Sequence, residues 1–157
     1  MPRALLLLAR FLLSAWFGAA VLFVIIGVGE VTYPGFDSPT RDKLVLIRFP
    51  LYYTCGFVTL GGAAASLVLL LGWGLRRPAT WSAAALTAIA LALMAYDYPC
   101  VYLPLARMVT PSVEARPAEF QPLHQWSKTI NGLELGCVLA AALTLCAIDA
   151  TPRRNGL

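Results

Sequence analysis

The sequence predicts an all-α integral membrane protein, a bundle of four transmembrane helices that forms a single domain over residues 1–157. Two observations lead to this fold class. Hydrophobic residues make up 59% of the chain and charged residues only 13%, about half of the charged share that is usual in soluble domains. The apolar residues also form four long runs, and a helix needs about 20 such residues to cross ~30 Å of hydrocarbon. The predicted spans are about 5–29, 51–74, 80–105 and 124–149.

The first run predicts a membrane helix that stays in the mature protein. Arg3, four leucines at residues 5–8 and the small pair Ala19 and Ala20 are similar to the parts of a signal peptide. However, Arg10 interrupts the early apolar stretch, and the run then continues to residue 29. That length exceeds the apolar core of a typical signal peptide, so we expect a retained first helix.

Prolines divide the middle of the chain. Pro50 lies near the start of the second run, where a proline in the first turn is tolerated. Pro78 and Thr80 open the third run. Pro99 falls inside that run, where it removes a backbone donor and predicts a kink. The segment 109–122 is too polar to span a membrane and predicts a connection at the surface.

Polar residues gather at one end of the predicted bundle. Antiparallel packing places the end of the first and third runs beside the start of the second and fourth. The charged and ionisable residues of that end are Glu30, Arg48, Asp97, His124, Lys128 and Glu134. A central Asp costs about 2.5–3.5 kcal/mol on insertion scales, so Asp97 and Glu134 are expected to face the interior. The tyrosines of this end (52, 53, 96, 98 and 102) are interpreted mainly as an aromatic belt at the membrane interface.

The fourth run predicts two faces. One is a polar stripe, and the other is a ridge of small residues at Gly132, Gly136 and Ala140, which predicts close packing against another helix. We predict an interior polar cavity that binds a ligand, or a network that only holds the helices in register. Arg48 and Lys128 are the cations nearest to its carboxyl groups by depth. The predicted cavity residues are Arg48, Asp97, His124, Ser127, Asn131 and Glu134.

Other chemistries have little support in the sequence. The four cysteines are scattered, with no C-x-x-C pair and only one histidine, so we expect no metal site and no cofactor. No serine has the context of a catalytic nucleophile, and we expect no enzyme activity. The net charge of +4 comes without a dense basic run, so no nucleic-acid partner is expected. The expected partners are the lipid bilayer and, through the glycine ridge, a second copy or another membrane protein.

Two stretches resemble one known family. Arg48-Phe49-Pro50-Leu51-Tyr52-Tyr53, followed by small residues at 61–66, resembles the second span of the transmembrane protein 205-like family. Phe120, His124, Ser127 and Asn131, followed by Gly136-Cys137-Val138-Leu139, resemble the start of its last span. The resemblance implies four membrane helices and makes Phe120, His124, Ser127 and Asn131 signature residues. It implies no reaction, because the family is a domain of unknown function.

Two classes of function follow. The first is a polytopic protein whose polar half-cavity binds or passes a small solute, a proton or a metal ion. The second is a structural or accessory subunit that docks other membrane proteins through the glycine ridge. Arg76 and Arg77 lie in the shortest connection, which favours placing that side in the cytoplasm. We therefore expect the plasma (inner) membrane of a bacterium, with both termini in the cytoplasm.

Overall fold

The structure, a computed structural model, describes residues 2–110 and 116–148 and contains only helices within them. The helices are α1 (Pro2–Thr32), α2 (Ser38–Gly72), α3 (Pro78–Asp97), a π-helical turn (Tyr98–Tyr102), α4 (Leu103–Met108) and α5 (Phe120–Cys146). The predicted all-α fold is confirmed. Residues 111–115, within the predicted surface connection, and residue 149, the predicted end of the last span, lie outside the described residues.

Four helical rods are long and apolar enough to cross a membrane. The third rod combines α3, the π-helical turn and α4, and the other three are α1, α2 and α5. Helix α1 packs against α2 and α5, and α3 packs against the same two helices. The rods therefore form a closed four-helix bundle. By the length and apolarity of its helices, the chain is an integral multi-pass membrane protein.

Helix α2 begins well before the predicted second span. Asp37 caps its N-terminus by accepting a hydrogen bond from the Thr40 backbone N–H at 2.9 Å. Hydrogen bonding from Thr40 also lowers the pKa of Asp37 below its ordinary value. Because the helix starts at Ser38, Pro50 lies inside it and not in its first turn, so that prediction was wrong. The added turns are too polar for a lipid-facing span, and their buried face carries Asp42.

The disturbance predicted at Pro99 takes the form of a π-helical turn. Proline has no backbone N–H, so the regular ladder of the helix is interrupted at this position. Leu103 donates its backbone N–H to the carbonyl of Tyr98, five residues earlier, which is the π-helical pattern. The turn follows Asp97 directly and places Val101 and Tyr102 in the interior.

The bundle divides into two halves with different interiors. We call the end that holds the start of α1, the end of α2, the start of α3 and the end of α5 the packed half. Its core is almost entirely aliphatic, with Leu13, Leu67, Ala83 and Ala141 fully buried. We call the opposite end the hollow half, because it contains the polar network and the cavity described below.

Arg10 is a charged residue within the largely apolar packed half. Its Nε and Nη2 donate to the carbonyl of Leu145 at 2.9 and 2.7 Å, and Nη2 also donates to the carbonyl of Ile148. The Leu145 carbonyl also accepts from the Ile148 backbone N–H at 3.1 Å, so Arg10 adds donors at the C-terminal end of α5, where the regular helical bonds stop. Arg10 therefore caps the last helix of the chain from the first one.

Candidate functional site

A buried polar network joins three helices near the middle of the bundle. Asp97 on α3 accepts hydrogen bonds at Oδ2 from the Tyr53 hydroxyl of α2 at 2.5 Å and from Asn131 Nδ2 of α5 at 3.2 Å. Asn131 Oδ1 accepts from the Tyr52 hydroxyl at 3.2 Å. Asn131 Nδ2 also donates to the Ser127 carbonyl and hydroxyl oxygens, at 2.9 and 3.3 Å. We call these five residues the Asp97 network.

Both predicted intramembrane acids are buried, as expected, with 1% of each side chain exposed. Asp97 uses only one of its two oxygens: among the described residues, Oδ1 is buried with no hydrogen-bond partner. Within 2–110 and 116–148, neither Asp97 nor Glu134 forms an ion pair with a basic side chain. An unpaired polar atom or charge in a low-dielectric interior is unfavourable, so this oxygen marks an incomplete site.

Glu134 has a partner that the sequence analysis missed. The Trp16 indole Nε1 of α1 donates to Glu134 Oε1 at 2.9 Å, and both side chains are at most 2% exposed. The Trp16 ring also lies against Tyr52, with 4.8 Å between ring centroids, so this pair adjoins the Asp97 network. The sequence did contain a signal for this bond, because an indole N–H in the middle of an apolar run needs an acceptor within the bundle.

Arg48 lies elsewhere, and its predicted place beside the two carboxyls is wrong. It forms an ion pair with Glu30 at the end of α1, with 2.8 Å between Nη2 and Oε2. Its guanidinium also lies 5.0 Å from the ring centroid of Phe23. The sequence placed Arg48 by depth alone, and a nearer acid on α1 binds it. Lys128, the other predicted cation, is exposed at the edge of the cavity.

A cavity of about 520 Å³ opens in the hollow half. Its walls come from α1, α2, α5 and the rod from Tyr102 to Val109. Along α5 its lining extends from Phe120 to Leu135, roughly 22 Å at 1.5 Å per residue. Ser127, Asn131 and Tyr52 belong both to its lining and to the Asp97 network. Asn131 therefore links the cavity lining to the buried carboxyl group of Asp97, and Tyr52 and Ser127 are hydrogen-bonded to Asn131.

The predicted cavity residues are only partly brought together. His124, Ser127 and Asn131 line the cavity, and His124 stacks on Phe120 with 5.7 Å between centroids. Asp97 and Glu134 are not among the lining residues. They lie behind the cavity wall, where they accept the hydrogen bonds from Asn131 and Trp16 described above. Residue spacing predicts the face of the helix on which each side chain lies, but only the packing of the helices shows which side chains reach the open space.

The tyrosines are mostly interior residues, so their interpretation as an interface belt is wrong for three of them. Tyr52, Tyr53 and Tyr102 are at most 7% exposed. Phe49 and Tyr102 stack with 5.3 Å between centroids, and Tyr53 contacts Tyr98 and Tyr102 at 4.9 and 5.2 Å. Of this aromatic cluster, Phe49, Tyr52 and Tyr102 also line the cavity. Of the set, Tyr96 is half exposed.

The glycine ridge does not pack inside the bundle. Gly132 and Gly136 are exposed, and a Cβ added to either would meet nothing within 4 Å in the described part of the chain. The predicted close packing against another helix is therefore wrong within the described bundle, and packing against a second copy stays a prediction. Gly132 instead lines the cavity, whereas Gly136, one turn further along, does not.

An ion pair stands at the edge of the cavity. Arg116 Nη2 pairs with Asp42 Oδ1 of α2, and Asp42 lines the cavity. The Arg116 guanidinium also lies 5.0 Å from the ring centroid of Phe120, another lining residue. The pair ties the chain just before α5 to the first turns of α2 and holds two sides of the opening together.

Metal binding finds no support in the described residues, which contain no group of three His, Cys, Asp or Glu side chains placed to hold an ion. The four cysteines are free thiols. Comparison with family models, with curated proteins and with solved structures finds no match for this chain. The resemblance to the transmembrane protein 205-like family therefore stays a prediction.

Proposed function

We propose that this protein binds a small amphipathic molecule in the cavity of its hollow half. The observation that carries the proposal is the composition of the cavity. Its walls are mostly aliphatic and aromatic, and its few deep polar atoms come from Tyr52, Ser127 and Asn131. About 520 Å³ lies within the range of 300–1,000 Å³ that small-molecule sites occupy.

The cavity suits binding better than free passage. In the packed half, Leu13, Leu60, Leu67 and Leu145 are fully buried around the bundle axis. A conducting path needs polar groups or water through the whole membrane, and these residues fill the second half with hydrocarbon. A solute entering the hollow half would stop near the Asp97 network unless the helices moved apart. This supports a binding protein, or a carrier that changes shape, over a channel.

The proposed setting follows from the sequence. We propose the plasma membrane of a bacterium, with both termini and the connection at Arg76 and Arg77 in the cytoplasm. The cavity would then face the opposite side of the membrane. Labelling of single cysteines at residues 76 and 119 in intact cells tests this orientation. Only the cysteine at 119 should react with an impermeant reagent, and the reverse pattern would contradict the proposal.

Photolabelling tests the binding function directly. A diazirine derivative of octanol, a neutral amphiphile, is added to the purified protein in lipid nanodiscs, and its adducts are mapped by mass spectrometry. We expect adducts on the cavity walls near Tyr102, Leu105 and Asn131, above the labelling of lipid-facing residues. Adducts spread evenly over the outer surface would argue against a binding cavity.

Two glycines provide a matched pair of variants. Gly132→Leu adds a side chain to the cavity lining, and its Cβ would meet nothing within 4 Å in the described structure. Gly136→Leu makes the same change one turn away, outside the cavity lining. We expect the first variant to reduce labelling of the walls several-fold and the second to leave it unchanged. Equal labelling in both variants would mean that the probe binds elsewhere.

The docking function is the second candidate, because the ridge at Gly132, Gly136 and Ala140 is not covered by another helix of the described chain. Small residues on a lipid-facing helix allow close approach of a second helix. If the ridge docks a second copy, Gly136→Leu should shift the protein from dimer to monomer in sedimentation experiments in mild detergent. An unchanged mass for this variant would exclude self-association through the ridge.

A further inference from the structure

The Asp97 network directs two hydrogen-bond donors at one oxygen of a buried carboxyl group. The Tyr53 hydroxyl and Asn131 Nδ2 both donate to Oδ2 of Asp97. Donors that converge on a carboxylate favour its ionised form, because hydrogen bonds to an ion are stronger than bonds to a neutral group. The second oxygen, Oδ1, is buried and has no partner in the described residues. Burial in an apolar interior opposes ionisation, so these bonds compensate a negative charge on Asp97 only in part, and a cation nearby would favour the ionised form.

The cations of the hollow half are engaged elsewhere or lie in solvent. Arg48 pairs with Glu30, and Arg116 pairs with Asp42. Lys128 is exposed at the cavity edge, where water and salt weaken its field. Within residues 2–110 and 116–148, no basic side chain compensates Asp97. A buried, uncompensated carboxylate would gain from any positive charge that entered the neighbouring cavity.

The cavity walls are also suited to a positive charge. Five lining residues are aromatic: Phe23, Phe49, Tyr52, Tyr102 and Phe120. The face of an aromatic ring attracts cations, and aromatic cages are a common means of binding quaternary ammonium groups. Two of the rings show this preference within the protein, because Arg48 lies over Phe23 and Arg116 over Phe120, each 5.0 Å from the ring centroid.

We propose that the ligand of the cavity is an amphipathic organic cation, whose apolar body contacts the aromatic walls and whose charge is attracted by Asp97. This inference rests on the proposed binding function and names its ligand class. Asn131 and Tyr52 stand between Asp97 and the open space, so the attraction acts across these side chains and not through a direct ion pair. Asp97 therefore gives the cavity a preference for positively charged ligands, which the apolar walls alone would not provide.

The test uses two probes of nearly the same shape and opposite charge, tetraphenylphosphonium and tetraphenylborate. Each is equilibrated by dialysis with the full-length protein in nanodiscs. Binding to the cavity is measured as the amount of probe bound by the native protein minus the amount bound by Gly132→Leu. This subtraction removes the contribution of probe that partitions into lipid. We expect the cation to bind at least about tenfold more tightly than the anion, because a charge several ångströms away in the interior retains a sizeable Coulomb attraction.

Two variants assign the preference to Asp97. Asp97→Asn should reduce the preference for the cation to near unity. Asp37→Asn removes the same charge from the surface of the same half, and an asparagine there still caps α2, so this control should keep the preference. If Asp97→Asn does not fold, the two probes on the native protein still decide the question.

The outcomes separate the inference from the function on which it rests. Equal binding of both probes, or tighter binding of the anion, overturns the cationic ligand and leaves a binding cavity. A preference that persists in folded Asp97→Asn also overturns the role of Asp97. Absence of any difference between the native protein and Gly132→Leu, for both probes and for the photoreactive alcohol, overturns the binding function itself.

Discussion

Buried polar groups bond differently in the two halves of the bundle. In the packed half, the hydroxyls of Ser66 and Thr87 donate to carbonyls of their own helices, four residues earlier, at 2.8 Å each. In the hollow half, Tyr52, Tyr53 and Asn131 bond to residues of other helices. The two hydroxyls of the packed half are satisfied within their own helices and leave close packing to small and aliphatic side chains, although Arg10 of the same half bonds across to α5. The bonds of the hollow half fix the helices relative to one another and tolerate open space between them.

The difference shows how one bundle accommodates a cavity. Lipid tails are as apolar as the core, so helices in a membrane associate through close packing and interhelical hydrogen bonds. The packed half relies on the first of these, with Ala9, Ala63, Ala83 and Ala141 allowing near approach. The hollow half has less packing, and its interhelical bonds replace part of it. Substitutions in the two halves should therefore have unequal effects.

The largest contrast is expected for leucine-to-alanine changes. Leu67 is fully buried in the packed half, so Leu67→Ala should lower the free energy of unfolding by about 2 kcal/mol or more, through the space left behind. Leu105 borders existing open space in the hollow half, so Leu105→Ala should cost less than about 1 kcal/mol. Reversible unfolding in mixed micelles measures both. Equal losses would mean that the two halves are packed alike.

A second experiment probes the boundary between the halves at Gly56. A Cβ there would overlap Met94 Cε, at the end of a flexible side chain, and would lie 2.8 Å from the rigid Trp16 ring. Gly56→Ala should cost about 1–3 kcal/mol through overpacking and should displace Trp16 from Glu134. Gly61→Ala on the same helix is the control, because its Cβ meets nothing within 4 Å in the described structure. If Gly56→Ala is as stable as the control, the close approach of α2 is not required.

The smallest effect is expected at the bond between Trp16 and Glu134. Trp16→Phe keeps a ring and removes the indole donor, and Glu134→Gln keeps the shape and removes the acid. The two single variants and the double variant form a thermodynamic cycle, for which we expect a coupling of about 0.6–1.7 kcal/mol, as for other hydrogen bonds between membrane helices. Additive losses would show that the two side chains are neighbours without a stabilising bond.

The sequence predicted where the helices lie along the chain better than how they pack against one another. Length and apolarity located four rods, but the start of α2 was missed because Ser38–Arg48 is too polar for a lipid-facing span. The stripe of α5 was predicted from its spacing, and Glu134 and Asn131 are indeed directed inward. The rotation of each helix about its axis depends on packing among all four. For this reason Trp16 was missed, Arg48 was assigned the wrong acid, and Gly132 was placed in a helix contact.

Arg10 has a consequence for how the protein is made. Helix α1 is synthesised first and α5 last, yet Arg10 of α1 is bonded to the carbonyls of Leu145 and Ile148. While translation continues, the inserted first helix carries a guanidinium whose final acceptors have not left the ribosome. Until then the arginine has to stay near the headgroups or in contact with other membrane components. In a chain truncated before residue 145, Arg10 never acquires these acceptors. The bonding of Arg10 therefore differs between truncated and full-length copies in the membrane.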